Sequence, residues 1–197
     1  MLLYRFLVAV FTVFSGLLGV KFTGRSNMPT KGAVVLIANH RHWSDIVLMA
    51  LAAYPRQVHF MAKSEYGHNK LLDWLIHHLG SFTVERGEAD MRAIKTALGY
   101  LRKGEVVGIF PEGTRNRQSE LLPFKEGAFL LASRAKAKVV PLAMHDAERY
   151  LKLGRPNPRV MMGEAFVLDD FVDGQGKFDG AAAADYAKAQ LEKILAA

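Results

Sequence analysis

The sequence predicts an α/β fold, a mostly parallel sheet flanked by helices, and three observations carry that expectation. The apolar runs at 34–38, 106–110 and 139–143 are short and rich in Val and Ile, like strands buried on both faces. Strand-like and helix-like segments alternate along the chain, and no internal repeat is visible. A length of 197 residues suits a single domain with a sizeable core.

The elements follow in order. Residues 6–20 carry no charge, with Arg5 just before them. This run is short of the ~20 residues that span a bilayer comfortably. Arg5, Ala9, Thr12, Gly16 and Gly19 recur at helical spacing, a stripe of small residues along which a neighbour can approach closely. Residues 1–24 are therefore expected to form an apolar, membrane-associating helix that lies in or dips into one leaflet and docks on its own domain, residues 25–197, with a full transmembrane span and a helix buried in a soluble core as the alternatives. The small-residue cleavage pattern of a signal peptide is poor. After the strand at 34–38, a helix is predicted over 45–54, a strand over 58–62, a helix over 70–79 and a strand over 81–84. A helix over 89–102 is closed by Gly104 and leads into the strand at 106–110. A helix over 126–135 precedes the strand at 138–142, and 159–162 reads as a last strand. The Asp- and Gly-rich segment 169–180 is a loop before a helix at 181–195.

Chemistry concentrates at two strand ends. The first strand runs into Asn39-His40-Arg41-His42-Trp43-Ser44-Asp45, where open α/β sheets build sites. A neutral imidazole there can take a proton from an alcohol, and a carboxylate can fix its tautomer. Five helical steps of about 100° separate His40 and Asp45 by roughly 140°, so they pair only if His40 precedes the helix and Asp45 lies in its first turn. His42 and Asp45, at i and i+3, are a competing pair. Ser44 reads as a helix-start hydroxyl, since no Gly-x-Ser-x-Gly elbow surrounds it. The strand at 106–110 runs into Pro111-Glu112-Gly113-Thr114-Arg115-Asn116-Arg117, and Lys125 follows. Two guanidiniums, a hydroxyl and a glycine make a plausible anion cradle. Glu112 suits either a substrate contact or the N–H groups of its own loop. The remaining histidines at 59, 68, 77, 78 and 145 share no spacing and stay unassigned.

Together these residues resemble the glycerolipid acyltransferases, the family of 1-acyl-glycerol-3-phosphate acyltransferases, over about residues 33–143. Four blocks carry the likeness: Asn39, His40 and Asp45; Gly80, Glu85 and Arg86; Phe110 to Arg115 with Phe124 to Ala128; and Val139-Val140-Pro141-Leu142-Ala143. Asn116 stands where the family usually has Ser, and Glu126 where it often has a second basic residue. The resemblance implies a glycerol-3-phosphate acyltransferase-like fold, His40 rather than His42 as the base, and Arg86 and Arg115 as holders of the acceptor phosphate. It adds Glu112, Gly113, Thr114 and Lys125 as substrate-binding residues. The implied reaction moves an acyl chain from acyl-CoA or acyl carrier protein to a lyso-phospholipid, 1-acyl-glycerol-3-phosphate, giving phosphatidic acid for phospholipid biosynthesis. Another lyso-lipid such as a lyso-ornithine lipid is an alternative acceptor. A thioester is already activated, so no cofactor or metal is expected, and the oxyanion is expected to meet backbone N–H groups near the 39–45 turn.

Composition narrows the alternatives. The absence of Cys removes disulfides, thiolate zinc sites and a cysteine nucleophile together. A net charge of +7 suggests an anionic partner, but the basic residues are scattered without interleaved aromatics, so nucleic acid is not expected as a partner. A metal hydrolase built on His40, His42, Asp45 and Glu112 is a remote alternative. Membrane lipid is an expected partner, at the cytoplasmic face of the inner or plasma membrane.

Overall fold

The structure, a computed structural model, describes residues 2–63, 82–84, 91–118, 120–150 and 157–197. In chain order these form helix α1 (Leu2–Leu17), strands β1 (Lys21–Thr23) and β2 (Val34–Ala38), and helix α2 (Ser44–Ala53). Strands β3 (Val58–Lys63) and β4 (Phe82–Val84) follow, then helix α3 (Met91–Arg102), strand β5 (Val106–Ile109) and helix α4 (Gly127–Arg134). Strands β6 (Lys138–His145) and β7 (Arg159–Met162) and helix α5 (Gly180–Leu195) complete the described elements. The helix expected at 70–79 lies outside the described residues.

The strands make one sheet in the order β1-β7-β6-β2-β5-β3-β4. Every pairing is parallel except β6 with β7. β2 is central, with all five residues fully buried, because a strand covered on both faces must be apolar throughout. Side-chain alternation divides the core into two layers. Val34, Leu36 and Ala38 pack with Tyr4 and Val8 of α1 and with Leu48, Met49 and Leu51 of α2. Val35 and Ile37 face α3, α4 and α5 through Ala97, Phe129 and Leu191. Gly108 in mid-β5 is dictated by crowding: a Cβ there would meet Phe60, Met49 and Val58 at 2.7–2.8 Å. Pro141 is tolerated inside β6 because the β7 partner breaks there, and Gly163 donates to its carbonyl at 2.9 Å. α5 starts at a true cap, where Asp179 Oδ1 accepts the Ala182 N–H at 3.0 Å.

The N-terminal segment differs from expectation in two respects. The helix stops at Leu17, and residues 21–23 pair with β7 as an edge strand, so residues 1–24 are not a separate unit. A three-residue Lys-Phe-Thr strand has no alternation long enough to read. The docking face is also not the small-residue stripe. Gly16 faces open space, whereas Tyr4, Val8 and Ser15, at i, i+4 and i+11, are buried. The Tyr4 hydroxyl accepts the Val58 N–H at 3.2 Å, and Ser15 Oγ lies 3.0 Å from the Tyr150 hydroxyl while donating to the Phe11 carbonyl. The opposite face leaves Phe6 (65%), Val13 (67%) and Leu17 (81%) exposed. Among the described residues no helix is long and apolar enough to cross a membrane.

This division predicts opposite responses on one helix. Tyr4→Phe leaves the buried Val58 N–H without its acceptor and should lower unfolding free energy by about 1–3 kcal/mol. Phe6→Ser should change it by no more than about 0.5 kcal/mol. Urea unfolding of both variants checks the pair.

Candidate active site

The first site group is built where β2 ends. Asn39, almost fully buried, continues the strand with its side chain: its amide donates to the Met144 carbonyl and accepts the Met144 N–H, both at 2.9 Å. That clamp to β6 fixes where the chain turns. Five residues after Asn39, α2 begins at Ser44, and Asp45 in its first turn points back at the turn, where the positive end of the helix favours a carboxylate. Asp45 Oδ2 accepts from the Arg41 N–H at 2.6 Å and the His42 N–H at 2.8 Å, and lies 2.9 Å from His40 Nδ1. An oxygen already taking two N–H groups acts as acceptor, so the imidazole donates from Nδ1 and keeps a lone pair on Nε2. The ring stacks on Phe110, centroids 4.0 Å apart and planes within 16°, which fixes its second degree of freedom. The His40 side chain remains 13% exposed, while that of Asp45 is 1% exposed. The imidazole can therefore be reached and its carboxylate cannot.

Of the two histidines, only His40 brings a ring nitrogen to Asp45. His42 contributes only its backbone N–H to Asp45, and its Nδ1 lies 2.9 Å from Ser44 Oγ. Ser44 in turn donates to the Ala147 carbonyl at 2.6 Å, the structural hydroxyl expected of it.

The second group hangs from the end of β5 and is tied to the first. Glu112 is buried, and its Oε1 accepts the His40 N–H at 3.0 Å. Its Oε2 accepts from Asn116 Nδ2 at 3.0 Å and from the Leu122 N–H at 3.1 Å. Of the two roles open to Glu112 from the sequence, a substrate contact or an acceptor for its own loop, these bonds display the second, a brace whose oxygens take the protein's own donors. Asn116, the departure from the family's Ser, completes it. Its N–H donates to the His40 carbonyl at 2.7 Å, and its side-chain amide also donates to the Glu120 carbonyl. Sequence reasoning missed this role; the signal was an amide seven residues after a strand end, too common to single out.

Gly113, Thr114, Arg115 and Lys125 form an exposed rim beside this brace. Gly113 adopts φ 72°, and a Cβ there would meet Lys125 Cε and Nζ at 2.7 Å, so glycine is what lets the ammonium lie over the loop. Arg86 lies outside the described residues. The N–H groups of residues 40, 41 and 42 are all consumed, by Glu112 and Asp45, which removes them as the expected oxyanion donors. Among the described residues no three His, Asp or Glu side chains gather as a metal-holding group. His40, His42, Asp45 and Glu112 each have other partners, so the hydrolase arrangement is not assembled.

Comparison with known proteins agrees with this reading. The sequence profile of the Acyltransferase family matches residues 19–145, which include both site groups. The 1-acyl-sn-glycerol-3-phosphate acyltransferase of Bacillus subtilis is 34% identical over 156 residues, 78% of this chain and 76% of that protein. The enzyme of the same name from Saccharomyces cerevisiae is 32% identical over 134 residues, 66% of this chain and 44% of the yeast protein. Among solved structures, the 1-acyl-sn-glycerophosphate acyltransferase PlsC of Thermotoga maritima superposes with a TM-score of 0.74 at 20% identity, over 97% of this chain and 79% of that one, a likeness of fold. With the family profile matching more than half of its length and a relative aligned over most of it, the chain belongs to the acyltransferase family and is an acyltransferase enzyme.

Proposed function

We propose that this acyltransferase moves an acyl chain from a thioester, acyl-CoA or acyl carrier protein, to the free hydroxyl of 1-acyl-sn-glycerol-3-phosphate, giving phosphatidic acid in phospholipid biosynthesis. The single observation that carries the reading is the His40–Asp45 contact with Nε2 left available beside a cationic rim. The names of the Bacillus and yeast relatives support the choice of acceptor.

The chemistry needs a base and no external activation. The acceptor hydroxyl attacks the thioester carbonyl as His40 Nε2 takes its proton, and Asp45 stabilises the imidazolium at Nδ1. The tetrahedral intermediate then expels the thiolate: the C–S bond breaks, and the imidazolium returns the proton to sulfur. No covalent enzyme intermediate forms. Arg115, with Arg86, holds the acceptor's phosphate so that its hydroxyl reaches His40, a gain by proximity. Thr114 and Lys125 complete that rim.

We further propose that the exposed face of α1 rests in the membrane that holds both greasy substrates, at the cytoplasmic leaflet of the inner or plasma membrane. Phe6, Val13 and Leu17 are too exposed to serve the fold, and their burial in lipid is worth several kcal/mol at roughly 25 cal/mol per Å².

Two measurements test these readings. With purified protein in detergent and lysophosphatidate as acceptor, His40→Ala and Asp45→Ala should each lose ~10²–10⁴-fold in acyl transfer. His42→Ala should lose far less; a dead His42→Ala with an active His40→Ala would overturn the assignment. Changing Phe6, Val13 and Leu17 together to Ser should release the protein from sedimenting vesicles without altering its unfolding transition. Vesicle binding equal to the native protein's would remove α1 as the anchor.

A further inference from the structure

A row of basic side chains crosses the sheet at the same end as His40, on the side away from Arg115. Lys21 of β1 pairs with Arg159 of β7, and Arg159 pairs with His145 of β6. Directly paired residues put their side chains on one face, with Cβ atoms about 4.5–5.5 Å apart. Alternation identifies that face. Phe22, Val160 and Met144 belong to the layer under α1 and α2, while Met161 and Ala143 belong to the other, so Lys21, Arg159 and His145 point toward the side of α3–α5. Arg41, next to the catalytic base, is close enough for its charge to act on His145.

Like charges directly opposite on neighbouring strands are destabilising, so such a row works against the fold. Among the described residues neither Lys21 nor Arg159 makes an ion pair, and the one carboxylate acting on His145 is its neighbour Asp146. Moreover, His145 Nε2 is buried with no hydrogen-bond partner, an unused polar atom inside the row. Two exposed cations, a third at the catalytic end and a half-buried imidazole fit a bound phosphate, which offers several acceptor oxygens.

We propose that this row seats the phosphate of the acyl donor's phosphopantetheine arm, so that donor and acceptor approach His40 from opposite flanks. This rests on the thioester-transfer reading above. From β2 to β1 there are three strand spacings of about 4.8 Å, so the row extends ~14 Å from the catalytic end. An extended arm separates the donor's thioester from its phosphate, as this placement requires. The acceptor's phosphate has its own rim across β5. A membrane headgroup fits less well, because the row points toward the face opposite the one that α1 covers.

Burial, then the charge of Arg159, lowers the His145 pKa, with Asp146 opposing and Arg41 adding to the depression. The ring is therefore neutral at neutral pH, and a bound phosphate should draw a proton onto it.

The test uses the full chain with saturating lysophosphatidate and four octanoyl donors: the CoA thioester, the carrier-protein thioester, the 4′-phosphopantetheine thioester and the pantetheine thioester lacking phosphate. In the Lys21→Gln, Arg159→Gln double variant, KM for the three phosphate-bearing donors should rise about tenfold, a loss of roughly 1.4 kcal/mol. KM for octanoyl-pantetheine and for the acceptor should stay within about twofold. The melting temperature should hold or rise, since like charges have been removed, and Arg159→Lys should recover part of the loss. Free CoA in calorimetry should bind the native protein with proton uptake and the double variant more weakly. Unchanged KM for every phosphate-bearing donor, or an equal rise for octanoyl-pantetheine, overturns the proposal. So does weaker binding to anionic vesicles with donor KM unchanged, which would make the row a membrane contact. If the native protein acylates no lyso-lipid from any donor, the thioester-transfer reading fails, while CoA binding still decides the row.

Discussion

One carboxylate oxygen organises the catalytic end of this molecule. Asp45 Oδ2 gathers two backbone N–H groups and the His40 imidazole, and all three come from the turn between β2 and α2. The turn could not take this form without it. Residues 41 and 42 have no strand partner after Ala38, and their N–H groups would otherwise need water in a crowded place. The same oxygen that shapes the loop therefore orients the His40 imidazole. Its partner Oδ1 is buried without a hydrogen bond, a local cost of the kind that functional sites carry.

A second carboxylate makes the site one body rather than two loops. Glu112 joins the His40 N–H to Asn116 and Leu122, while the Asn116 N–H returns to the His40 carbonyl. Position 40 is held at both its N–H and its C=O by the loop after β5, and its ring rests on Phe110 of the same loop. The exposed rim at 113–115 is thus fixed relative to the His40 imidazole by the backbone of His40 itself. Since β2 and β5 are paired neighbours, the sheet register sets the distance between His40 and residues 113–115. Loops seated on rigid strand ends in this way hold geometry better than free ones.

The central part of this design was legible in the sequence. The apolar runs that became β2, β5 and β6 are unambiguous because strands buried on both faces admit almost no polar residue. His40 and Asp45 were recognisable because a pair five residues apart can meet only across a helix start. The illegible parts share a physical cause: each depends on contacts between residues remote in the chain. Glu112 and Asn116 had nothing local to show that their partner was residue 40. The Lys21–Arg159–His145 row exists only through strand register, its first two members lying 138 positions apart in the chain. Edge strand β1 is three residues long, and the docking face of α1 depends on Tyr4 and Ser15 finding Val58 and Tyr150. A stripe of small residues is a reasonable guess at a contact face, but here polar pairing decided it.

The central claim is that Asp45 holds His40 in the tautomer with hydrogen on Nδ1, leaving Nε2 as the base. Nitrogen-15 spectra of histidine-labelled protein at neutral pH measure this directly, because the two ring nitrogens of a neutral imidazole resonate far apart. The account predicts an Nδ1–H signal for His40 in the native protein and its loss of tautomer preference in Asp45→Asn. A native spectrum with the hydrogen on His40 Nε2, or one unaffected by Asp45→Asn, would contradict it.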